Sequence, residues 1–102
     1  MSKVTVLGSG AWGTTLAQVL CDSGQDVLIW GRNSDVVNEM NNENTNGKYL
    51  PGITLPRQLR ATVDIQEAFG FGGSLVLAIP AQSLRENLSG WVNTFPNDKP
   101  II

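Results

Sequence analysis

Three glycines near the start of the chain have the spacing of a phosphate-binding turn. Gly8, Gly10 and Gly13 fit the pattern G-x-G-x-x-G, which follows the apolar run 4–7 and leads directly into a helix. The first glycine permits a tight turn, the second lets a pyrophosphate approach the backbone, and the third lets helix and strand pack closely. The N–H groups at a helix start favour an anion there. The pattern predicts a dinucleotide site; the alternative is a strand–turn–helix corner that uses glycine only for its backbone freedom.

The residues that would select between nicotinamide cofactors follow the second apolar run, 27–30. A strict NAD site places an Asp or Glu about 20 residues after the glycine turn, where it binds the ribose hydroxyls. Residues 31–34 contain no carboxylate, and Arg32 could stack on adenine or pair with a 2′-phosphate, with Asn33 and Ser34 as donors. This segment favours NADP over NAD, or use of both. The alternative is that Arg32 is a solvated residue at a helix start.

Four further residues are candidates for cofactor contact. Trp12 could cover the cofactor or fill the gap between turn and sheet. Tyr49, on a long connection, could reach a phosphate or a ring, or only hold the connection to the domain. Pro80 and Ser83 follow the third strong apolar run, at the strand end where open α/β sheets bind ligands, although the favoured role of Ser83 is to cap a helix. The full candidate set is Gly8, Ser9, Gly10, Ala11, Trp12, Gly13, Arg32, Asn33, Tyr49, Pro80 and Ser83.

Composition excludes several classes of function for this 102-residue chain. The net charge is −2, so no basic excess indicates nucleic acid or a membrane surface as a partner. No apolar run approaches the length of a membrane-spanning helix, which is about 18 residues or more. The single cysteine, Cys21, cannot form an internal disulfide, which suits a reducing cytoplasm, and we expect it to be a small core residue. Without histidine or paired carboxylates, the chain offers no catalytic residue and no metal site.

Apolar runs and breakers predict alternating strands and helices. Leu16, Ala17, Val19 and Leu20 are spaced as one apolar stripe of the first helix, and the runs after it are continuous, as in parallel strands covered on both faces. Only the connection 45–59 lacks a regular pattern, since it contains Asn-Gly and Pro-Gly turn dipeptides. The predicted strands are 4–7, 27–30, 59–63 and 74–79, and the predicted helices are 11–23, 33–44, 64–69 and 83–94. The expected fold is α/β, with a Rossmann-like doubly wound, mainly parallel sheet.

The last two residues, Ile101 and Ile102, have the character of an opening strand. We therefore expect residues 1–102 to form the N-terminal part of a dinucleotide-binding domain that is truncated before it is complete.

Four segments together resemble a known family. G-S-G-A-W-G at 8–13, W-G-R at 30–32, the K-Y-L-P-G loop within 44–52 and A-I-P at 78–80 resemble the N-terminal domain of bacterial-type NAD(P)-dependent glycerol-3-phosphate dehydrogenases. The resemblance covers essentially the whole chain. Ala11 departs from the family, which often carries serine or asparagine there; the departure keeps the backbone contact and removes a side-chain one.

The resemblance implies a two-domain cytoplasmic enzyme whose helical substrate domain is absent from this chain. Such an enzyme reduces dihydroxyacetone phosphate to sn-glycerol 3-phosphate with NADPH or NADH for phospholipid synthesis, and its full-length form is compatible with a homodimer. The family's catalytic and substrate-binding lysines lie beyond Ile102. We therefore expect this chain to bind a dinucleotide without catalysing hydride transfer.

Two other interpretations remain open from the sequence. One is the cofactor domain of another two-domain dehydrogenase, of the hydroxy acid or ketopantoate type, in which K-Y-L-P-G is not expected. The other is a non-enzymatic nucleotide-sensing module, which would account for a short chain without catalytic groups.

Overall fold

Strands and helices alternate along the part of the chain that this computed structural model describes, residues 3–71 and 73–78. In chain order the elements are β1 (Lys3–Leu7), α1 (Ala11–Asp22), β2 (Asp26–Trp30), α2 (Ser34–Glu43), β3 (Thr45–Asn46), β4 (Leu50–Thr54), β5 (Arg60–Thr62), α3 (Ile65–Phe71) and β6 (Ser74–Leu77).

The main sheet has four parallel strands in the order β5-β2-β1-β6. The chain starts in β1, moves through α1 to β2 on one side, and later enters β6 on the other side of β1. The strand order therefore reverses between β1 and β6, and open sheets of this kind bind ligands at the carboxyl ends of the strands beside such a reversal. The residue after β1 lies at that edge. The predicted doubly wound parallel sheet is confirmed.

Both faces of the sheet are covered, which explains why its strands are continuously apolar. Val6 and Ile29 pack in a cluster with residues of α1 and α2, while Leu7 packs in a second cluster with residues of α3 on the opposite face. The three side chains are fully buried, and burial of each stabilises the fold by about 1.5–3 kcal/mol. Thr5 lies on the α3 face, where its buried hydroxyl donates to the Ala68 carbonyl at 2.9 Å.

The helix ends follow local capping rules. Gly24 has φ +98, and N–H groups of residues 24 and 25 donate to carbonyls of the last turn of α1, an arrangement that ends the helix at Asp22. Asn33 caps α2 by accepting from the N–H groups of residues 35 and 36, and Asp64 caps α3 in the same way. These caps agree with the boundaries predicted from the sequence, although α3 continues to Phe71.

Two expectations are wrong. The connection 45–59 contains an antiparallel hairpin, β3 and β4, rather than only irregular chain. Its anchors are side-chain hydrogen bonds from Asn46 to Ser9 and Thr14 and from the hairpin to Glu39, which local turn residues do not reveal. Val19 is 58% exposed, because two residues of helix rotate it about 200° from the buried Ala17. The predicted helix 83–94, the strand opening at 101–102 and residue 79 of the third strong run lie outside the described residues.

We predict that Gly13→Ala destabilises the protein by about 1–3 kcal/mol or more. A Cβ on Gly13 would overlap the Gly8 carbonyl oxygen and lie 2.9 Å from its carbon, and backbone atoms cannot move aside cheaply. Urea unfolding measures the change. The control is Gly70→Ala in α3, where a Cβ meets nothing within 4 Å; it should leave stability unchanged or raise it by up to about 1 kcal/mol. Equal stabilities of the two variants would contradict the prediction.

Candidate dinucleotide-binding site

The glycine-rich turn leaves β1 at the carboxyl edge of the sheet, beside the reversal of strand order. Gly8 has φ +131, a conformation that side chains rarely adopt, and its N–H donates to the Trp30 carbonyl at 2.8 Å. Gly13 lies so close to the Gly8 carbonyl that no side chain fits between helix and strand. The first and third glycines thus have the structural roles that their spacing predicts.

Gly10 is different, because its own backbone does not require glycine. Its φ is −70, an ordinary value, and a Cβ there would meet nothing within 4 Å. The space beside its Cα is open. Since the protein itself would tolerate a methyl group at Gly10, the missing side chain suits the close approach of a ligand to the backbone. Close approach of the pyrophosphate is the role of the second glycine in a dinucleotide-binding turn.

The start of α1 differs from the starts of the other described helices. Gly10 is its N-cap residue and makes no side-chain capping bond, and the first turn has no acidic residue. In contrast, α2 and α3 are capped by Asn33 and Asp64, and each has a carboxylate in its first turn, Asp35 and Glu67. Within the described part of the chain, the first amides of α1 and the positive end of its dipole therefore have neither a capping side chain nor a first-turn carboxylate. This arrangement suits an external anion.

A buried polar group supports the turn from behind. Asn46 is fully buried, and its Nδ2 donates to the Ser9 carbonyl and to Thr14 Oγ1, each at 3.0 Å. Thr14 Oγ1 in turn donates to the Ser9 carbonyl at 3.1 Å. Sequence reasoning missed Asn46, because beside Gly47 it has the signature of a turn dipeptide and nothing local connects it to residue 9.

Gly31 is a second residue that motif reasoning left without a role. A Cβ on Gly31 would overlap Ser9 Oγ and lie 2.8 Å from Ser9 Cβ. Its N–H donates to the Thr62 carbonyl at 3.0 Å, which continues the sheet one residue past β2. The absence of a side chain at Gly31 thus gives the side chain of Ser9 its place beside the turn.

Glu39 on α2 holds the hairpin that carries Asn46. Its Oε2 accepts from Thr45 Oγ1 at 2.6 Å and from the N–H of Gly47 at 2.8 Å. The hydrogen bond from Thr45, followed by that from Gly47, lowers the pKa of the Glu39 carboxyl below its ordinary value.

The remaining predicted site residues have varied surroundings. Ala11 and Arg32 are exposed, and Trp12 is 69% exposed, so its ring does not fill the gap between turn and sheet. Asn33 Oδ1 is used as the α2 cap, which leaves its amide nitrogen as the group able to donate to a ligand. Tyr49 is exposed, with Lys48 Nζ 5.5 Å from its ring centre. Pro80 and Ser83 lie outside the described residues.

Other kinds of site find no support in residues 3–71 and 73–78. There, His, Cys, Asp and Glu side chains form no group of three or more that could hold a metal ion. No helix of that part has the length and apolar character needed to cross a membrane. Cys21 packs partly buried against the core, and burial, followed by the charges of Asp22 and Asp26, raises the pKa of its thiol. It therefore lies at the margin of the core and not inside it, so the expectation of a core residue is met only in part.

The parallel sheet, the helices on both faces and the glycine turn beside the reversal of strand order define a Rossmann-like α/β domain of the dinucleotide-binding type. Residues 3–102 match the family described as NAD-dependent glycerol-3-phosphate dehydrogenase N-terminus. The chain belongs to this family.

Relatives and solved structures agree with the family match. The chain is 47% identical over 100 residues to glycerol-3-phosphate dehydrogenase [NAD(P)+] of Corynebacterium diphtheriae, covering 98% of this chain and 30% of the relative. It is 42% identical over 101 residues to the enzyme numbered 2 of Mycobacterium tuberculosis, covering 99% and 30%. The glycerol-3-phosphate dehydrogenase structure from Coxiella burnetii superimposes with a TM-score of 0.88 at 31% identity, covering 98% and 31%. The chain therefore spans about 30% of the length of these curated relatives.

We predict that Glu39→Gln lowers stability at neutral pH and that the difference from wild type disappears in acid. The folded state lowers the pKa of Glu39, so its charge contributes stability above the ordinary glutamate value of about 4.3, and this contribution is lost as the pH falls through the lower folded value. Urea unfolding at about pH 7 and about pH 3 measures it. Glu43→Gln, an exposed change of equal charge on the same helix, is the control. A difference that grows toward acid would contradict the sign.

Proposed function

We propose that this chain is the dinucleotide-binding part of a glycerol-3-phosphate dehydrogenase and that it holds the cofactor pyrophosphate on the first amides of α1. The observation that carries the proposal is the contrast between helix starts. Only α1, among the described helices, begins behind an open glycine with neither a side-chain cap nor an acidic first turn. The family match supports the same conclusion independently.

The residues of the turn would bind the cofactor mainly through backbone atoms. Gly10, Ala11 and Trp12 place their N–H groups at the start of α1, and the open space beside Gly10 lets phosphate oxygens come close. The exposed ring of Trp12 lies at the same helix start and is available to cover a bound ligand, and Tyr49 is available on the hairpin side.

The reaction itself needs groups beyond those described. When bound, the nicotinamide supplies the hydride. The chain contains no histidine, and its described carboxylates form no cluster at the turn, so this chain binds and orients while the proton donor and the substrate phosphate clamp come from elsewhere in the full-length protein. That protein, in this proposal, reduces dihydroxyacetone phosphate to sn-glycerol 3-phosphate in the cytoplasm, as a first step toward phospholipid backbones.

The chain after β2 favours NADPH. Arg32 is exposed directly after the carboxyl end of β2, and the first carboxylate beyond it is that of Asp35, in the first turn of α2. A guanidinium at this point can pair with a 2′-phosphate, whereas the carboxylate of a strict NAD site would repel it.

Gly10→Ala tests the pyrophosphate site. The methyl group meets no atom of residues 3–71 and 73–78 within 4 Å, so the fold should be unaffected, but it occupies the space that a phosphate needs. We expect NADPH to bind the full-length variant at least about tenfold more weakly by isothermal titration calorimetry, with an unchanged urea midpoint. Gly70→Ala, equally unobstructed but on α3, should bind NADPH normally. Undiminished NADPH binding by Gly10→Ala would count against the proposed site.

Arg32→Asp tests the cofactor preference. The substitution replaces attraction for the 2′-phosphate by repulsion, so affinity for NADPH should fall by at least about tenfold more than affinity for NADH. Arg57→Asp makes the same charge change on an exposed loop residue that precedes β5, away from the carboxyl edge, and should leave the ratio of the two affinities unchanged. Equal losses of affinity for NADPH and NADH in Arg32→Asp would show that Arg32 does not determine the cofactor preference.

A further inference from the structure

The Ser9 carbonyl lies at the centre of a small buried hydrogen-bond network. It accepts from Thr14 Oγ1 at 3.1 Å and from Asn46 Nδ2 at 3.0 Å, and the two donors are themselves hydrogen bonded to each other. Both Thr14 and Asn46 are fully buried. The neighbouring Gly10 carbonyl is also engaged, since it accepts from the N–H of Thr14 at 2.9 Å.

Fixing these carbonyls also fixes the amides on the other side of the same peptide bonds. A trans peptide unit is planar, and its N–H points opposite to its C=O; the described chain contains no cis peptide bond. The Ser9 carbonyl shares its peptide unit with the N–H of Gly10. When Asn46 and Thr14 hold that carbonyl toward their own buried side chains, the N–H of Gly10 is turned to the opposite side of the peptide unit, away from them.

We propose that Asn46 is a positioning residue of the dinucleotide site: its buried carboxamide holds the Ser9 carbonyl and thereby aims the N–H of Gly10 at the pyrophosphate. The proposal rests on the proposed cofactor function of the turn. Asn46 comes from β3, 37 residues along the chain from Ser9, so the hairpin residues 45–54 are part of the site although Asn46 itself touches no ligand.

The side chain at position 46 has to be a carboxamide for this role. One NH₂ group supplies two donors, which reach the Ser9 carbonyl and Thr14 Oγ1, while Oδ1 lies 3.4 Å from the N–H of Tyr49 as acceptor. An aspartate could not donate to the carbonyl. A shorter apolar side chain would leave a buried carbonyl with one partner fewer and free the peptide unit to rotate.

Asn41 provides a matched control within the same chain. Its Nδ2 donates to the Ala61 carbonyl and its Oδ1 accepts from the N–H of the same residue, both at 2.9 Å. It therefore joins α2 to β5 through two side-chain hydrogen bonds, as Asn46 joins hairpin to turn, but both bonds go to Ala61 and neither reaches the turn. Loss of Asn41 measures the cost of removing a structural asparagine alone.

The experiment compares two ligands on the full-length protein. NADPH contains the pyrophosphate, whereas 2′-AMP keeps adenine, ribose and the 2′-phosphate but has no pyrophosphate. We expect Asn46→Ala to weaken NADPH binding at least about tenfold and 2′-AMP binding less than about twofold. Asn41→Ala should change neither affinity by more than about twofold. Both variants should lower the urea midpoint, because each removes side-chain hydrogen bonds. Calorimetric titration gives the affinities. Equal weakening of both ligands, equal effects of the two variants, or unchanged NADPH binding in Asn46→Ala would each overturn the proposal.

A second pair of variants decides the matter if Asn46→Ala does not fold. Thr14→Val removes the other donor to the Ser9 carbonyl, and Thr14→Ser keeps it, so the valine variant should show the same selective loss of NADPH while the serine variant restores binding. Full NADPH affinity in Thr14→Val overturns the proposal. Wild-type protein that binds neither NADPH nor NADH refutes the proposed function as well, whereas normal wild-type binding together with normal Asn46→Ala binding refutes only the role of Asn46.

Discussion

The packing of Gly13 against the Gly8 carbonyl is the contact on which the rest of the site depends. It lets α1 start almost directly from the end of β1, so the helix begins at the carboxyl edge of the sheet and not above its middle. The backbone amides of the first turn are then held at the point where the strand order reverses. The unpaired N–H groups and the helix dipole give this point a positive potential, so an anion can be favoured there without a basic side chain.

Much of the sheet could be predicted from the sequence, because β1, β2 and β6 are short, mainly apolar runs ended by a breaker, and each described helix has a local stop or cap. The hairpin could not be predicted in this way. Its position depends on Glu39, which bonds to Thr45 six residues further on, and on the contact between Asn46 and Ser9, which are 37 residues apart. The exposure of Val19 shows a related limit, since apolar character alone does not say which face of a helix a residue occupies.

The same distinction applies to the candidate site. The glycine spacing predicted the turn because its first and third glycines, Gly8 and Gly13, meet local steric demands that the structure shows. The supports of the turn, Gly31 and Asn46, come from other elements and answer demands created only when the chain has folded. A motif therefore describes the surface that meets a ligand better than it describes the groups that keep that surface in shape.

The dependence of the turn on the hairpin bears on how this kind of site can be transplanted. Moving only β1, the glycines and α1 into another scaffold would transfer the backbone of the turn without the Asn46 side chain, which donates a hydrogen bond to the Ser9 carbonyl. In the proposed site, the turn after β1 and the Asn46 side chain behind it both belong to the span from β1 through β4, so a transplant would have to carry that whole span. Changing only β1, the glycine turn and α1 would leave the hairpin support of the turn unaltered and outside the engineered segment.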